Sequence, residues 1–144
     1  MKLVIRLLPT RVVLAHCDIP CGIYDPHAAQ LAAKTVLKMV SLINELQPSV
    51  SEPPFDERKK IISQISRLTR VKEDHAELCK REILILWTDY FKAEHLEKFP
   101  NLHDLVWKVT KLCSENKRTV DEGKAAELIE AVDKIAEVFE QTKK

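Results

Sequence analysis

The residues of this chain that could do chemistry are concentrated in one short stretch, HCDIPCGIYD, from His16 to Asp25. It contains an imidazole, two thiols separated by three residues, and a phenol, and its proline and glycine favour a turn. Two cysteines at this spacing can form a disulfide, bind a metal ion as thiolates or act as a redox couple. The spacing alone leaves all three chemistries open.

The positions of the other cysteines favour Cys17 and Cys21 as the reactive pair. The chain has four cysteines, which are too few and too unevenly placed for a disulfide framework at this length. Cys79 and Cys113 fall within helical patterns among apolar neighbours, where a free cysteine usually behaves as a small hydrophobic residue. Cys17 and Cys21 lie in the non-helical stretch, so we expect the chemistry there.

The histidine directly before the first cysteine extends the set of donors. If the chain is cut between Ala15 and His16, the new terminus offers an amine, an imidazole, the backbone nitrogen of Cys17 and two cysteine sulfurs within one short loop. Two nitrogens and two thiolates in a plane suit nickel(II), and the imidazole is left as an axial donor. Zinc fits less well, because a zinc site takes four protein ligands and this stretch offers three side-chain donors.

Residues 1–15, MKLVIRLLPTRVVLA, are apolar and basic and contain no acidic residue, which predicts a removable leader. Arg6, Pro9 and Arg11 interrupt the apolar run, so it is short for an export signal and far too short to span a bilayer. We therefore predict a cytoplasmic protein with no stable membrane insertion, although such a leader is also compatible with a targeting segment.

Composition and periodicity predict one soluble, all-helical domain over residues 16–144. Charged residues make up 31% and hydrophobic residues 45% of the chain, and the net charge is +1, so nothing favours binding to nucleic acid. Apolar residues recur at spacings of three and four in segments that begin near residues 26, 56, 101 and 121. We predict an antiparallel four-helix bundle over residues 26–144, preceded by a non-helical, metal-binding hook at residues 16–25.

The second helical segment, which ends near residue 87, places a histidine on its predicted apolar stripe. A histidine there is either a core residue with satisfied hydrogen bonds or a residue that orients a metal ligand by a hydrogen bond. Residues 87–100 then break the helical period and are rich in aromatic side chains, which predicts a packed corner. The predicted stripe consists of Ile61, Ile65, Leu68, Val71, His75 and Leu78.

Four stretches of the sequence together resemble the nickel superoxide dismutase family. They are the HCDIPCGIYD hook, HAEL at residues 75–78, WTDYFK at residues 87–92 and HLEKFPNLH at residues 95–103. The resemblance covers nearly every residue from His16 onward. It implies a homohexamer of four-helix bundles that disproportionates superoxide to oxygen and hydrogen peroxide, and a protease that removes the leader.

The resemblance also implies one nickel ion per chain and a set of ligands for it. These ligands are His16, through its amine and imidazole, Cys17, through its amide nitrogen and thiolate, and Cys21, through its thiolate. Asp18 and Tyr24 are the implied catalytic residues, with Tyr24 as the gate over the metal and a hydrogen-bond donor.

Further residues are implied to support the hook. Pro20 shapes it, and Tyr90 and Lys92 match the corner residues that contact it, with Lys92 as a positive charge that attracts the superoxide anion. The sequence departs from the family at two positions, since Ala32 and His75 replace the glutamate and arginine that hold the axial imidazole. We therefore expect His75 to take over this support.

Two other functions stay open on the sequence alone. The chain could be a non-enzymatic metal-binding or thiol-redox bundle in which Cys17 and Cys21 form a disulfide or hold zinc. It could also be a structural interaction module whose leader docks on a membrane. Metal content separates the nickel enzyme from the first of these alternatives.

Overall fold

The structure, a computed structural model, describes residues 23–143. This part of the chain is helical and contains no strand. None of the helices between residues 23 and 143 is long and apolar enough to cross a membrane. The helices are α1 (His27–Asn44), α2 (Phe55–Ile85), α3 (Ala93–Lys98), α4 (Leu102–Arg118) and α5 (Glu122–Thr142), and a π-helical turn (Leu86–Tyr90) follows α2 directly.

The four long helices form the predicted antiparallel bundle. Helix α1 packs on α2 and α5, and α4 packs on the same two helices, so the four enclose one core. The connection between α4 and α5 is short, whereas the π-helical turn and α3 lie between α2 and α4. The predicted all-α fold class is therefore confirmed, and the predicted corner contains the π-helical turn and the short helix α3. Core residues of the four helices include Ala33, Val36, Ile83, Leu102, Val109, Leu128, Val132 and Phe139.

Helix α1 begins where the hook ends. Pro26 has the fixed φ that suits the start of a helix, and the Asp25 carboxylate accepts a hydrogen bond from the His27 amide at 2.6 Å. The Gln30 amide then donates to the Pro26 carbonyl and closes the first turn. These contacts fix the direction in which the hook leaves the bundle.

The buried face of α2 differs from the predicted stripe. Ile65 and Val71 are exposed at 38% and 36%, and His75 is only half-buried. Helix α2 has 31 residues and α1 has 18, so the start of α2 extends past the end of α1, and the end of α4 reaches only to Lys72. The predicted stripe was also wrong because it did not include Lys72, which is buried. The residues that α2 buries are Lys72, Ala76, Cys79 and Ile83, all in its second half.

Lys72 joins α2 to the end of α4 from inside the bundle. The residue is 1% exposed, and its ammonium donates hydrogen bonds to the carbonyls of Asn116, Lys117 and Thr119, the last two at 3.1 and 2.7 Å. These carbonyls lie at the C-terminus of α4, where unpaired acceptors and the helix dipole attract a cation. Burial lowers the pKa of the Lys72 ammonium below its ordinary value.

Candidate active site

A π-helical turn at the end of α2 sets the direction of Tyr90. Leu86 and Phe91 are both buried, at 2% and 9% exposure, although they are five positions apart. In an α-helix such residues point about 140° apart, so only one of them would face the core. The wider turn is closed by the Phe91 amide, which donates to the Leu86 carbonyl at 2.9 Å, and it brings both side chains inward. Tyr90 then faces the start of α1 and the end of α5.

Tyr90 is the centre of an aromatic cluster at this corner. Its ring centroid lies 5.6 Å from that of Tyr24, 4.5 Å from that of Phe139 and 5.7 Å from that of His95. Separations of this size are typical of stacked and tilted aromatic pairs. Because Tyr24 is the second-to-last residue of the hook, its contact with Tyr90 anchors the end of the hook on the bundle.

A cavity of about 520 Å³ opens beside the rings of Tyr24 and Tyr90. The hook, the π-helical turn, α3 and the end of α5 all contribute to its walls. The cavity therefore lies where four separate segments of the chain meet. Its lining residues are Tyr24, Asp89, Tyr90, Lys92, Glu94, His95, Phe139, Thr142 and Lys143.

Two lysines bring positive charge to this cavity. Lys143, which follows the last residue of α5, pairs with Glu140 at 2.9 Å, and this carboxylate raises the pKa of the Lys143 ammonium. Lys92 is exposed, and its backbone amide donates to Nδ1 of His95 at 3.2 Å. His95 thus ties Lys92 to α3 while its ring stacks on Tyr90. Asp89 and Glu94 line the same cavity, so its lining carries no net formal charge and the two ammonium groups act as local positive charges.

The structure brings three of the predicted site residues together. Tyr24, Tyr90 and Lys92 line one cavity. Their roles in covering and contacting the hook stay predictions. The positions of the five other predicted hook residues stay predictions, because these residues lie outside the described part of the chain. They are His16, Cys17, Asp18, Pro20 and Cys21.

His75 does not line this cavity. Its Nδ1 lies 2.8 Å from the Val71 carbonyl of its own helix and must be the donor, because a carbonyl oxygen can only accept. In a neutral ring, Nε2 is then an acceptor. Ala32, the other position that departs from the family, is buried at 1% exposure and has no polar side-chain atom. Of the side chains at positions 32 and 75, only that of His75 can therefore form a hydrogen bond with the His16 imidazole.

The helices themselves form no metal site. Between residues 23 and 143, no three histidine, cysteine or carboxylate side chains are grouped so that they could hold a metal ion. Cys79 and Cys113 are free, fully buried thiols, and a hydrogen bond with Cys113 together with burial raises the pKa of Cys79. Cys79 is therefore a poor thiolate ligand.

Sequence reasoning missed the residues that α3 and α5 bring to the cavity. None of His95, Phe139, Thr142 and Lys143 was predicted as a site residue. Their place depends on α5 ending beside the π-helical turn, which no local pattern indicates. One signal was available, since His95 lies three residues after Lys92, the spacing at which a side chain bonds back to the start of a helix.

Comparison with known proteins relates the whole chain to one family. Residues 11–143 match the family described as nickel-containing superoxide dismutase. The chain is 36% identical over 136 residues to superoxide dismutase (Ni) of Streptomyces coelicolor, which covers 94% of each chain. It is 37% identical over 140 residues to the protein of the same name from Streptomyces seoulensis, covering 96% of this chain and 97% of that protein.

Solved structures agree with the sequence comparison. The native structure of nickel superoxide dismutase has a TM-score of 0.73 and 34% identity, and the match covers 90% of this chain and 100% of that one. A crystal structure whose nickel ligation corresponds to the oxidised state has a TM-score of 0.75 and 32% identity, covering 89% of this chain and 98% of that one. The similarity therefore extends over the bundle. An identity above 30% indicates a common family as well as a common fold.

Proposed function

This chain belongs to the nickel-containing superoxide dismutase family and disproportionates superoxide to oxygen and hydrogen peroxide, and we propose that the hook at residues 16–25 holds its nickel ion. The observation that carries the proposal is the packing of Tyr24 on Tyr90, with 5.6 Å between their ring centroids. Cys21 precedes Tyr24 by three residues, at most about 11 Å of extended chain. One of the proposed donors, Cys21, is therefore within reach of the cavity that Tyr24 and Lys92 line.

The types of donor in the hook fit nickel. His16 offers an amine and an imidazole, Cys17 an amide nitrogen and a thiolate, and Cys21 a second thiolate. Nitrogen and thiolate donors of this kind would suit nickel(II), and these three residues would hold the ion. Residues 23–143 contain no competing cluster of ligands. The set provides for one nickel ion per chain.

The nickel ion and the residues of the chain have different roles in the reaction. Bound nickel supplies the one-electron chemistry, alternating between nickel(II) and nickel(III). The thiolates of Cys17 and Cys21 are the electron-rich donors that make the higher oxidation state accessible. Lys92 and Lys143 draw the superoxide anion into the cavity, because opposite charge raises the local concentration of a small ion.

Other residues of the hook control its shape and access to it. We assign Tyr24 the role of a gate, because it belongs to the hook while its ring packs on Tyr90 and lines the cavity. Asp18 and Pro20 shape the turn that carries the ligands. Water held in the cavity delivers protons to the reduced oxygen species.

His75 is proposed to orient the His16 imidazole, either directly or through a water molecule. Its Nδ1 is engaged with the Val71 carbonyl, so its Nε2 accepts hydrogen bonds when the ring is neutral. A carboxylate, which the family has on α1, is likewise an acceptor. His75 can therefore replace the acceptor that is lost at Ala32, and the partner of a ligating imidazole sets its orientation.

We propose that a protease removes residues 1–15 and leaves His16 as the new terminus. The reason is chemical, since the nitrogen of His16 is an amine only when Ala15 has been removed. The mature chain is proposed to act in the cytoplasm, because the leader is short for an export signal.

We also propose that the mature protein is a homohexamer. A single chain exposes large apolar side chains on two helices, with Phe55 at 69% and Ile62 at 64% on α2 and Trp107 at 60% on α4. Exposed apolar groups of this size support subunit contacts. Analytical ultracentrifugation should give a mass six times that of the mature chain, and a monomer at every concentration tested would contradict the proposal.

The test of the nickel hook compares the full-length chain with a chain that begins at His16, both produced with nickel. Only the chain that begins at His16 should dismutate superoxide, because an amide at this position cannot be the same donor. Replacing Cys17 or Cys21 with serine should abolish activity, whereas the matched change Cys79→Ser, at a buried thiol, should retain it.

Three outcomes would contradict this assignment. One is a nickel-replete full-length chain as active as the chain that begins at His16. Another is an equal loss of activity in folded Cys79→Ser protein. The third is a mature chain whose bound metal is zinc, or whose Cys17 and Cys21 form a disulfide in the active protein, which would favour a non-enzymatic metal-binding or thiol-redox role for the hook.

A further inference from the structure

We propose that Thr142, the last residue of α5, is a positioning residue that fixes the direction of the Tyr90 hydroxyl. The inference rests on the proposed function, because Tyr90 lies beside the proposed nickel hook. Tyr90 Oη and Thr142 Oγ1 are 2.7 Å apart, which is a hydrogen-bond distance. Both residues line the cavity, and Thr142 is half-buried.

A second hydrogen bond of Thr142 determines which hydroxyl donates. Thr142 Oγ1 lies 2.6 Å from the carbonyl oxygen of Phe139, which can only accept, so Thr142 donates its proton there. A threonine hydroxyl has a single proton, so none is left for Tyr90. Tyr90 is therefore the donor in its bond with Thr142. The chain of donation runs from Tyr90 to Thr142 and from Thr142 to Phe139.

The last turn of α5 holds this arrangement from two sides. The Phe139 ring packs on the Tyr90 ring with 4.5 Å between centroids, and the Phe139 carbonyl accepts a hydrogen bond from the Thr142 hydroxyl. Tyr24 packs against another part of the Tyr90 ring at 5.6 Å. The Tyr90 ring is thus confined by its neighbours, and its hydroxyl is confined by Thr142.

The consequence concerns the protons of the reaction. The Tyr90 proton points at the end of α5, and the lone pairs of the phenol oxygen are left to accept hydrogen bonds from groups in the cavity. Such donors include the ammonium groups of Lys92 and Lys143, and water. Disproportionation of two superoxide anions to oxygen and hydrogen peroxide consumes two protons. In this geometry Tyr90 orients the group that delivers them and does not itself deliver one.

Neutron diffraction from deuterium-exchanged crystals of the mature, nickel-loaded protein tests the direction of the bond. The Tyr90 deuteron should lie on the line to Thr142 Oγ1, and the Thr142 deuteron should point at the Phe139 carbonyl. A Tyr90 deuteron directed into the cavity would overturn the proposal. This measurement needs no substitution and does not depend on activity, so its failure is distinct from a failure of the proposed nickel hook.

Kinetics of the mature enzyme test the positioning role. Thr142→Val keeps the shape of the side chain and removes the hydroxyl, so the Tyr90 proton is released to the cavity. We expect kcat/KM to fall roughly 3- to 10-fold, the usual effect of one hydrogen bond, and the solvent deuterium isotope effect to change with it. Thr142→Ser keeps the hydroxyl and should restore both quantities.

Thr110→Val is the matched control. Thr110 lies on α4 and donates to the carbonyl three residues before it, that of Trp107, at 2.8 Å, so it makes the same local bond as Thr142 without contact to Tyr90. Its kinetics should be unchanged. The positioning role is rejected if Thr142→Val has wild-type kcat/KM and isotope effect, or if Thr142→Ser is impaired as much as Thr142→Val.

Discussion

Replacing Lys72 with methionine should destabilise the folded chain by about 2–4 kcal/mol. The ammonium donates to three carbonyls at the end of α4, and hydrogen bonds of a charged group contribute roughly 1.5–3 kcal/mol each. Removing an ammonium from water costs several kcal/mol, which offsets much of this sum. Methionine keeps the apolar packing of the lysine stem, so the net loss comes from the hydrogen bonds.

The unpaired carbonyls decide the sign of this effect. A buried ion pair can often be replaced by apolar residues without loss when both partners are removed together. Here Lys72→Met removes only the donor, and the carbonyls of Asn116, Lys117 and Thr119 stay at the C-terminus of α4. Buried acceptors without a donor are costly, so the change should destabilise.

Urea unfolding and calorimetry of the mature protein measure this cost. All samples need the same protein and nickel concentrations, because subunit assembly and bound metal also stabilise the fold. A change of 2–4 kcal/mol corresponds to a fall in Tm of roughly 6–16 °C for a domain of this size. Lys60→Met, at an exposed lysine on the same helix, is the control. Equal stability of the two variants would refute the reasoning, because the cost of burying the ammonium would then cancel its hydrogen bonds.

Three further predictions concern α2 and the loop before it. His75→Leu should lower turnover roughly 10-fold or more in a folded enzyme, and His75→Gln should retain more activity because it keeps a hydrogen-bonding group; wild-type turnover and an unchanged nickel(III) paramagnetic resonance in the leucine variant would assign His75 to packing alone. Cys79 is buried and has a raised pKa, so at neutral pH it should react with a thiol reagent only as fast as the bundle opens, and immediate labelling of the native protein would contradict this. The Ser49 amide and hydroxyl both donate to the Glu57 carboxylate at 2.7 Å and lower its pKa below the ordinary value of 4.5. Because the pKa of Glu57 is lowered in the folded chain, its carboxylate stabilises the fold when the pH is above 4.5, and this stability is lost as the pH falls through the folded-state pKa. NMR titration should give Glu57 a pKa below 4.5, and Ser49→Ala should raise that pKa. Titration of Glu57 at its ordinary pKa would contradict the two hydrogen bonds from Ser49.

The sequence by itself determined the fold class, where the long helices begin and the family. Helical periodicity is a local property, so apolar residues at spacings of three and four after residue 121 were enough to predict that α5 has a buried face. The hook was recognisable for a similar reason, because its donors are neighbours in the chain and need no fold to bring them together. The nickel cofactor and the activity follow from this motif and are confirmed by the family comparison.

Only the tertiary structure decided which face of α2 is buried and what surrounds the end of the hook. Lys72 lies in the core because three carbonyls at the end of α4 accept hydrogen bonds from its ammonium. A polar residue with distant partners gives no signal in a hydrophobic pattern. Thr142 is 52 residues from Tyr90, and the two hydroxyls meet because α5 ends beside the π-helical turn. Contacts between segments so far apart depend on how whole helices pack, which the periodicity of each helix alone does not determine.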